Sequence, residues 1–589
     1  MILLVFLLLM LSQQPQIPPP ASIEGIVVTM GTGQPLAGAK VALDPAEAGP
    51  GQDEPIPCPN VPVPDMPEPC GPKTATTGAD GRFVLTSVSP GTYRLYATRN
   101  GGYVPAEFGQ RTATGEGIGF PLAPGQKMTG VVLQLSPTGS ITGRVYDRDG
   151  EPLGRAQVQA LRSVYRDGRR VMTIVQSVET NDRGEYRLFW LAPGQYYVSA
   201  RPDIPTRGPN LALPGSGPST AVRVTDPARF GTYEQGSVPV VRKRALKTGE
   251  VIEETSVPVY FPGIVDMQMA SPLAVGAGTV TGGVDISIAT GIVQTHHIRG
   301  RVIDGSTGQP LARASVRAIP RTLEPLRSVP AAQSDTNGFF DLAGAVPGSY
   351  FLIAETRNSG VIPIEVGNRD LNNIAVVTTQ GFRLSGRFIV EGRPANDSRL
   401  TGLRIARLVR DPDLPGLPSE GSSAAAVQDG SFTVTDVSPG DFRVQVGGLG
   451  SSGYVKSMRM GNDDVLDGGL HIRTAPENPL EIVLGLDAGT IQGTVVNARQ
   501  QALPNRRVTL VPDVRLRHRA DLYRSVQTDN AGQFRLQGIP PGNYKLFAWE
   551  DIETGAWLDP AFIRDYEDRG TTVSVRPAGS ENVQLTVIP

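Results

Sequence analysis

One stretch recurs five times in the 589-residue chain and restricts the possible folds more than any other feature. Counted from a leading glycine, an aromatic follows at +2, an aliphatic at +4, Pro-Gly at +9 and +10, an aromatic at +12 and an aliphatic at +14. The first occurrence is Gly81, Phe83, Leu85, Pro90, Gly91, Tyr93 and Leu95. The second is Gly184, Tyr186, Leu188, Pro193, Gly194, Tyr196 and Val198, and the third Gly338, Phe340, Leu342, Pro347, Gly348, Tyr350 and Leu352. Gly430, Phe432, Val434, Pro439, Gly440, Phe442 and Val444 make the fourth; Gly532, Phe534, Leu536, Pro541, Gly542, Tyr544 and Leu546 the fifth. Seven matched positions in five places describe one structural unit used repeatedly.

Apolar residues two apart share one face of an extended strand, so +2 and +4 point inward together, as do +12 and +14. The Pro-Gly between them reads as a type II turn, proline presetting φ and glycine taking the positive φ, which makes the stretch a β-hairpin. The leading glycine closes an earlier turn, because small or polar pairs such as Ala79-Asp80 and Asn530-Ala531 precede it. On the same parity Trp190, at +6 of its stretch, is expected in the core.

A second half-motif precedes each stretch. It reads Ile23-x-Gly25-x-Val27 with Pro35, Leu36, Ala39 and Val41; Ile141, Gly143 and Val145 with Pro152, Leu153, Ala156 and Val158; and Ile298, Gly300 and Val302 with Pro310, Leu311, Ala314 and Val316. The fifth occurrence keeps Ile491, Gly493, Val495 and Val508, and the fourth only Leu384, Gly386 and Phe388. Each unit closes on an alternating strand such as Val131-x-Leu133-x-Leu135 or Val583-x-Leu585-x-Val587.

Together these motifs resemble the carboxypeptidase regulatory-like domain. The resemblance implies a transthyretin-like (prealbumin-like) β-sandwich, akin to carbohydrate-binding-like and collagen-adhesin B-type modules. Tandem forms of this kind are similar to exported proteins of acidobacteria-type bacteria, and the closing Phe547-Ala-Trp549 and Gly555-Ala-Trp557 block is similar too. The expected fold is therefore all-β: five tandem Greek-key β-sandwich domains in an elongated array. Their expected bounds are 21–138 with a Pro-rich insertion at 44–74, 139–290 with a long insertion at 203–258, 291–382, 383–487 and 488–589. Short linkers at Ser136–Gly139 and Leu486–Gly489 suit a semi-stiff string.

Composition narrows the function classes. A net charge of −2 gives no long-range attraction to nucleic acid or anionic lipid. The apolar run Ile2 to Leu11 has the length of a signal-peptide core, so residues 1–20 are expected to direct export, to the periplasm, the outer membrane or the outside. No other segment reaches membrane-spanning length, and the exported chain is expected to be soluble. Cys58 and Cys70 lie in the Pro-rich insertion and read as a local disulfide, with a two-cysteine metal site as the alternative.

Catalytic signatures fail one by one. Metallocarboxypeptidases carry His-x-x-Glu, and none of His296, His297, His471 and His518 has Glu at +3; His518 has Asp521, and all four are expected at the surface. There is no Gly-x-Ser-x-Gly and no Gly-Lys dipeptide. The Lys-to-Asn bond of collagen-adhesin B-type domains, implied only by the resemblance, finds no lysine in the bodies of repeats two and three, and Lys40, Lys456 and Lys545 lie off the opening strands. Calcium is conceivable at Asp147, Asp149 and Gly150 or at Asn462, Asp463, Asp464 and Asp467, without EF-hand spacing. Trp549, an odd step beyond Leu546, should point away from the core and with Trp557 and Tyr566 cap the last sandwich; an exposed sugar platform formed by these three is the alternative. The expected function is a non-enzymatic structural or adhesion-like module at the cell envelope with a protein or polysaccharide partner and no cofactor. Carbohydrate binding, or service as the accessory subunit of a separately encoded enzyme or transporter, are the other readings.

Overall fold

The computed structural model describes residues 19–45, 73–166, 168–202, 239, 241–321, 329–356, 358–393, 407–410, 427, 429–449 and 453–589. The expected leader and the Cys58/Cys70 pair lie outside these residues. Among the described residues no helix is long and apolar enough to cross a membrane.

The fold is an all-β sandwich repeated along the chain. In repeat one the opening strand Ala21–Thr29 lies at the centre of one sheet, antiparallel to Arg82–Val88 and parallel to the closing strand Lys127–Leu135. The facing sheet runs Lys73–Thr76, Lys40–Pro45, Gly91–Thr98, with Ala106–Glu107 and Gly119–Leu122 beyond. Repeat three has the same order, His296–Asp304 between Phe339–Ala345 and Leu371–Thr378. So do repeat four, with Phe382–Val390 between Ser431–Val437 and Leu480–Gly485, and repeat five, with Gly489–Val496 between Gln533–Ile539 and Ser580–Ile588. In repeat two the closing segment pairs in parallel with the opening strand at Ile286↔Val145.

Each recurring stretch crosses between sheets and is not a hairpin. Arg82–Val88 pairs with the opening strand, whereas Gly91–Thr98 pairs with Lys40–Pro45 of the other sheet. The same division separates Phe339–Ala345 from Gly348–Glu355, and Gln533–Ile539 from Gly542–Trp549, although in repeat five the end of Gly542–Trp549 also pairs with Ser580–Ile588 and joins the two layers into one seven-stranded sheet. Period-two patterning places side chains on a face but cannot tell one sheet from two. In the crossover the +2 and +4 side chains meet those at +12 and +14 from opposite sides of the core. Phe83, Tyr186, Phe340, Phe432 and Phe534 are all buried. At +12, Tyr196, Tyr350, Phe442 and Tyr544 are buried and Tyr93 is half-buried. Repeats one, three, four and five each have a buried apolar cluster built from these positions and the opening strand.

The Pro-Gly pair works by space. Gly91, Gly440 and Gly542 are not at positive φ, so no type II turn forms there. Instead the +12 ring folds back over the glycine: a Cβ on Gly91 would lie 3.2 Å from the Tyr93 ring, and one on Gly542 3.5 Å from Tyr544. The tyrosine hydroxyl then donates to the +8 carbonyl, Tyr93 to Ser89 at 2.9 Å, Tyr350 to Val346 at 2.8 Å and Tyr544 to Pro540 at 2.8 Å. This ties the crossover shut and satisfies a backbone acceptor at the turn.

Left-handed backbone occurs elsewhere, at the leading glycines (φ between +70° and +78°) and at +6. The +6 residues are Ser87, Trp190, Gly344, Asp436 and Gly538, all at positive φ. In repeats one, three, four and five the ladder shifts register beside this residue, as between Ala21↔Val88 and Ile23↔Leu85. It is a β-bulge, and the extra residue reverses the parity of side chains. Trp190 is therefore 64% exposed rather than in the core.

By compactness the described residues divide into two units: those up to 140 with 189–194 and 274–280, and the remainder. In the remainder, part of the long insertion is regular structure. Arg242–Ala245 and Val251–Ser256 form a hairpin that pairs with Ile292–Gln294.

Candidate functional site

Trp549, Trp557 and Tyr566 of repeat five belong to a second small core, which is the capping arrangement and not the sugar platform. Strand Gly542–Trp549 presents Phe547 and Trp549 on alternate residues, away from the main core as parity requires. That face is covered by the single turn Ala556–Leu558 and the short helix Pro560–Arg564, which Asp559 caps through Ala561 N at 2.8 Å. Trp549 is 2% exposed and Trp557 8%; Tyr566 is half-buried. Trp549 stacks on Phe547 at 5.6 Å, meets Tyr566 edge-on at 4.9 Å, and donates from Nε1 to Thr509 Oγ1 at 2.9 Å. The rings are spent on packing, and no flat face is open for a sugar. Nothing in strand periodicity announces the covering helix, which comes from later in the chain.

A contact absent from the sequence reading reaches this block. The hairpin Gln157–Arg166 to Arg169–Glu179 of repeat two brings the Tyr165 ring 6.3 Å from Phe562. Gly168 lies so close to Leu558 that a Cβ would stand 2.5 Å from its carbonyl oxygen.

Two of the four histidines depart from expectation, since His296 is buried and only 19% of the His297 side chain is exposed, whereas His471 and His518 are exposed. His297, on the opening strand of repeat three, has Asp341 Oδ1 at 2.5 Å from Nδ1 and Glu253 Oε2 at 3.0 Å from Nε2. Arg299 donates to Asp341 at 2.9 Å and to Asp370 at 2.8 Å, and Lys243 lies 3.4 Å from Glu253. Burial opposes ionisation at Asp341 and Asp370, but hydrogen bonds from His297 and Arg299 outweigh it and hold both carboxyls below their usual range. The cluster staples the inserted hairpin onto repeat three. Pro239, earlier in the insertion, packs on the bulge at Gly344, where a Cβ would lie 2.5 Å from its ring. The sequence signal was the basic run Arg242-Lys243-Arg244 in register with Glu253-Glu254, facing the His296-His297 pair.

The carboxylates considered for calcium serve turns. Asp147 Oδ1 accepts from Asp149 N at 2.9 Å and Glu151 N at 3.0 Å, and Asp464 accepts from Leu466 N at 3.0 Å. Asp467 accepts from Arg519 at 3.3 Å. Among the described residues no group of three or more His, Cys, Asp or Glu is placed to hold a metal ion.

Repeat five also carries a cleft of about 590 Å³, within the range of small-ligand sites. Residues of the strands Gly489–Val496, Arg524–Gln527, Gln533–Ile539 and Ser580–Ile588 line it. Among them are Gln492, Gln527, Gln533 and Asn582, with Thr494 and Arg535.

A family model agrees with the fold. The family described as the carboxypeptidase regulatory-like domain matches residues 22–122, 140–225 and 490–556. No curated protein matches the chain. Among solved structures, the Bacillus anthracis TIE protein is 10% identical over 98% of this chain and 76% of its own, with a TM-score of 0.13. GBS52, the minor pilin of Streptococcus agalactiae, is 11% identical over 45% of this chain and 94% of its own, with a TM-score of 0.20. BcpA, the major pilin subunit of Bacillus cereus, is 10% identical over 61% of this chain and 99% of its own, with a TM-score of 0.13. Three stretches of the chain, residues 22–122, 140–225 and 490–556, are thus similar to the carboxypeptidase regulatory-like domain, in keeping with the motifs and sheet order above.

Proposed function

We propose that the chain is a non-catalytic interaction array of five β-sandwich units, bounded at 21–138, 139–290, 291–382, 383–487 and 488–589, and exported to the cell envelope by its leader. One observation carries this reading. The opening strand and the sheet-to-sheet crossover recur unit after unit, while the differences fall in insertions and ends, so the chain multiplies surface around a constant scaffold. The polar groups with catalytic potential support it, because His297, Asp147 and Asp464 are engaged in holding strands and turns. The partner is a protein or a polysaccharide of the envelope; the chain's near-zero charge favours neither nucleic acid nor a lipid surface. The test is fractionation of cells producing the tagged full chain, followed by cross-linking in intact cells. Recovery outside the cytoplasm, joined saturably to one envelope component, is expected; a cytoplasmic chain without such a component refutes the proposal.

The cleft of repeat five favours carbohydrate binding as a second reading. The side-chain amides of Gln492, Gln527, Gln533 and Asn582 make no hydrogen bond among the described residues, and each offers a donor and an acceptor to vicinal hydroxyls. Retention on an envelope polysaccharide, lost in Gln492→Ala with Gln533→Ala and kept in Trp190→Ala, is the outcome this reading requires.

A further inference from the structure

The hairpin of repeat two is longer than the sheet it belongs to. Gln157–Leu161 pairs on its second side with Tyr197–Arg201, while the distal part, Arg162–Arg166 against Arg169–Thr173, continues past that pairing as a two-stranded arm. A bare two-stranded ribbon is marginal in water, so an arm of this length needs a surface to rest on.

Its tip has one. Arg170 lies over the Tyr165 ring at 4.6 Å and donates from Nε to its hydroxyl at 3.1 Å, which fixes the ring against Phe562. Two glycines make the fit possible, one on each side. Gly168, at φ +74°, sits against the Leu558 carbonyl, and Gly555, at φ +87°, leaves a gap where a Cβ would be 3.2 Å from that of Tyr165. The receiving surface is the single turn Ala556–Leu558 and the helix Pro560–Arg564, the same cover that buries Trp549.

We propose that arm and block form an exchangeable clasp, closed within the chain here and able to seat the arm of one copy on the block of a second copy. The contact joins the arm tip to the block, and the same side chains would meet whether one chain or two supply the halves. Exchange of an identical element between chains is a low-cost route to association, and this pairing is head-to-tail, so it extends into open chains where it does not close on itself. Closure within a chain competes with exchange, so linked copies accumulate where the protein is dense, as on a surface. The inference deepens the interaction-array reading by naming a second copy as one partner. A chain that binds an envelope component but never links to itself would sink this inference and leave that reading intact.

The test uses the full chain carrying Cys58→Ser and Cys70→Ser, with Tyr165→Cys, Gly555→Cys or both. The Cβ separation is close to that of a disulfide. After oxidation at micromolar protein, the double variant is expected to run as an internally cross-linked monomer. At near-millimolar protein, a mixture of the two single variants should give a dimer several-fold more abundant than either single variant alone. No excess dimer in the mixture, with the double variant fully closed, overturns exchange; no cross-link in the double variant overturns the clasp itself. Light scattering of the unsubstituted chain over the same range gives a reading free of cysteine. Mass should rise with concentration and rise less in Tyr165→Ala; a constant mass contradicts the proposal.

Discussion

Gly300 sits mid-strand between Phe340 on its antiparallel neighbour and Ile374 on its parallel one. A Cβ there would stand 2.0 Å from the Ile374 carbonyl oxygen and 2.8 Å from the tip of the Phe340 ring. Relief requires the parallel pair to open by about 1 Å, which takes the local N–H···O contacts beyond hydrogen-bond reach. Two lost ladder bonds at about 1 kcal/mol each, with overpacking of about 1–3 kcal/mol, put the cost of Gly300→Ala at about 3–5 kcal/mol. Gly308→Ala is the control, since Gly308 has positive φ and open space around it and should cost only about 1–2 kcal/mol. Hydrogen exchange of the full chain, read by mass spectrometry, localises the effect. Amides of 298–304 and 371–378 should exchange roughly 100- to 4,000-fold faster in Gly300→Ala, at about tenfold per 1.4 kcal/mol, with repeats one and five unchanged. Equal protection in the two variants would refute the idea that this glycine exists to admit the +2 ring and the neighbouring strand. Gly25, Gly143, Gly386 and Gly493 stand in the same relation to their neighbours.

Other outcomes follow from the same geometry. Tyr350→Phe and Tyr544→Phe each remove the hydroxyl that ties the crossover, and each should cost about 1 kcal/mol in denaturant titrations that follow the affected repeat. Trp549→Ala should destabilise repeat five by about 3–5 kcal/mol, whereas Trp190→Gly, at an exposed positive-φ site, should shift stability by no more than about 1 kcal/mol. Tryptophan emission checks this pair, moving to shorter wavelength when Trp190 is replaced. Asp341 and Asp370 have carboxyls held below their unfolded range, so their contribution is present above about pH 4 and is lost as pH falls through the lower native values. Acid titration followed by exchange at 298–304 should show this loss, and Asp341→Asn should flatten it.

The repeated unit was legible because it is written in local terms. Glycine-aromatic-aliphatic spacing, strand alternation and the small-residue turns each specify backbone that forms within a few residues. What escaped was decided by distant chain. Leu85 and Leu95 carry the same inward parity whether their strands pair or face each other across a core, so a hairpin and a crossover have one signature. The bulge at +6 is marked by Gly344 and Gly538 but by Ser87, Trp190 and Asp436 in the other repeats, and the aromatic residue there was read on the wrong face. Trp549 was rightly placed off the main core, yet parity does not say what lies opposite; Phe562, Ile563 and Tyr566 supply the cover. The His297 cluster joins three strands from separate stretches, and only the charge register of the inserted hairpin hinted at it.

Hydrogen exchange of the whole chain, timed from seconds to days, bears most directly on the claim that one crossover architecture builds a separate core in every repeat. Five islands of slow amides should appear, centred on Ile23–Val27, Ile141–Val145, Ile298–Val302, Leu384–Phe388 and Ile491–Val495, each bounded by fast-exchanging connections. Protection that runs unbroken from one repeat to the next, or that is missing from any of the five opening strands, would contradict it.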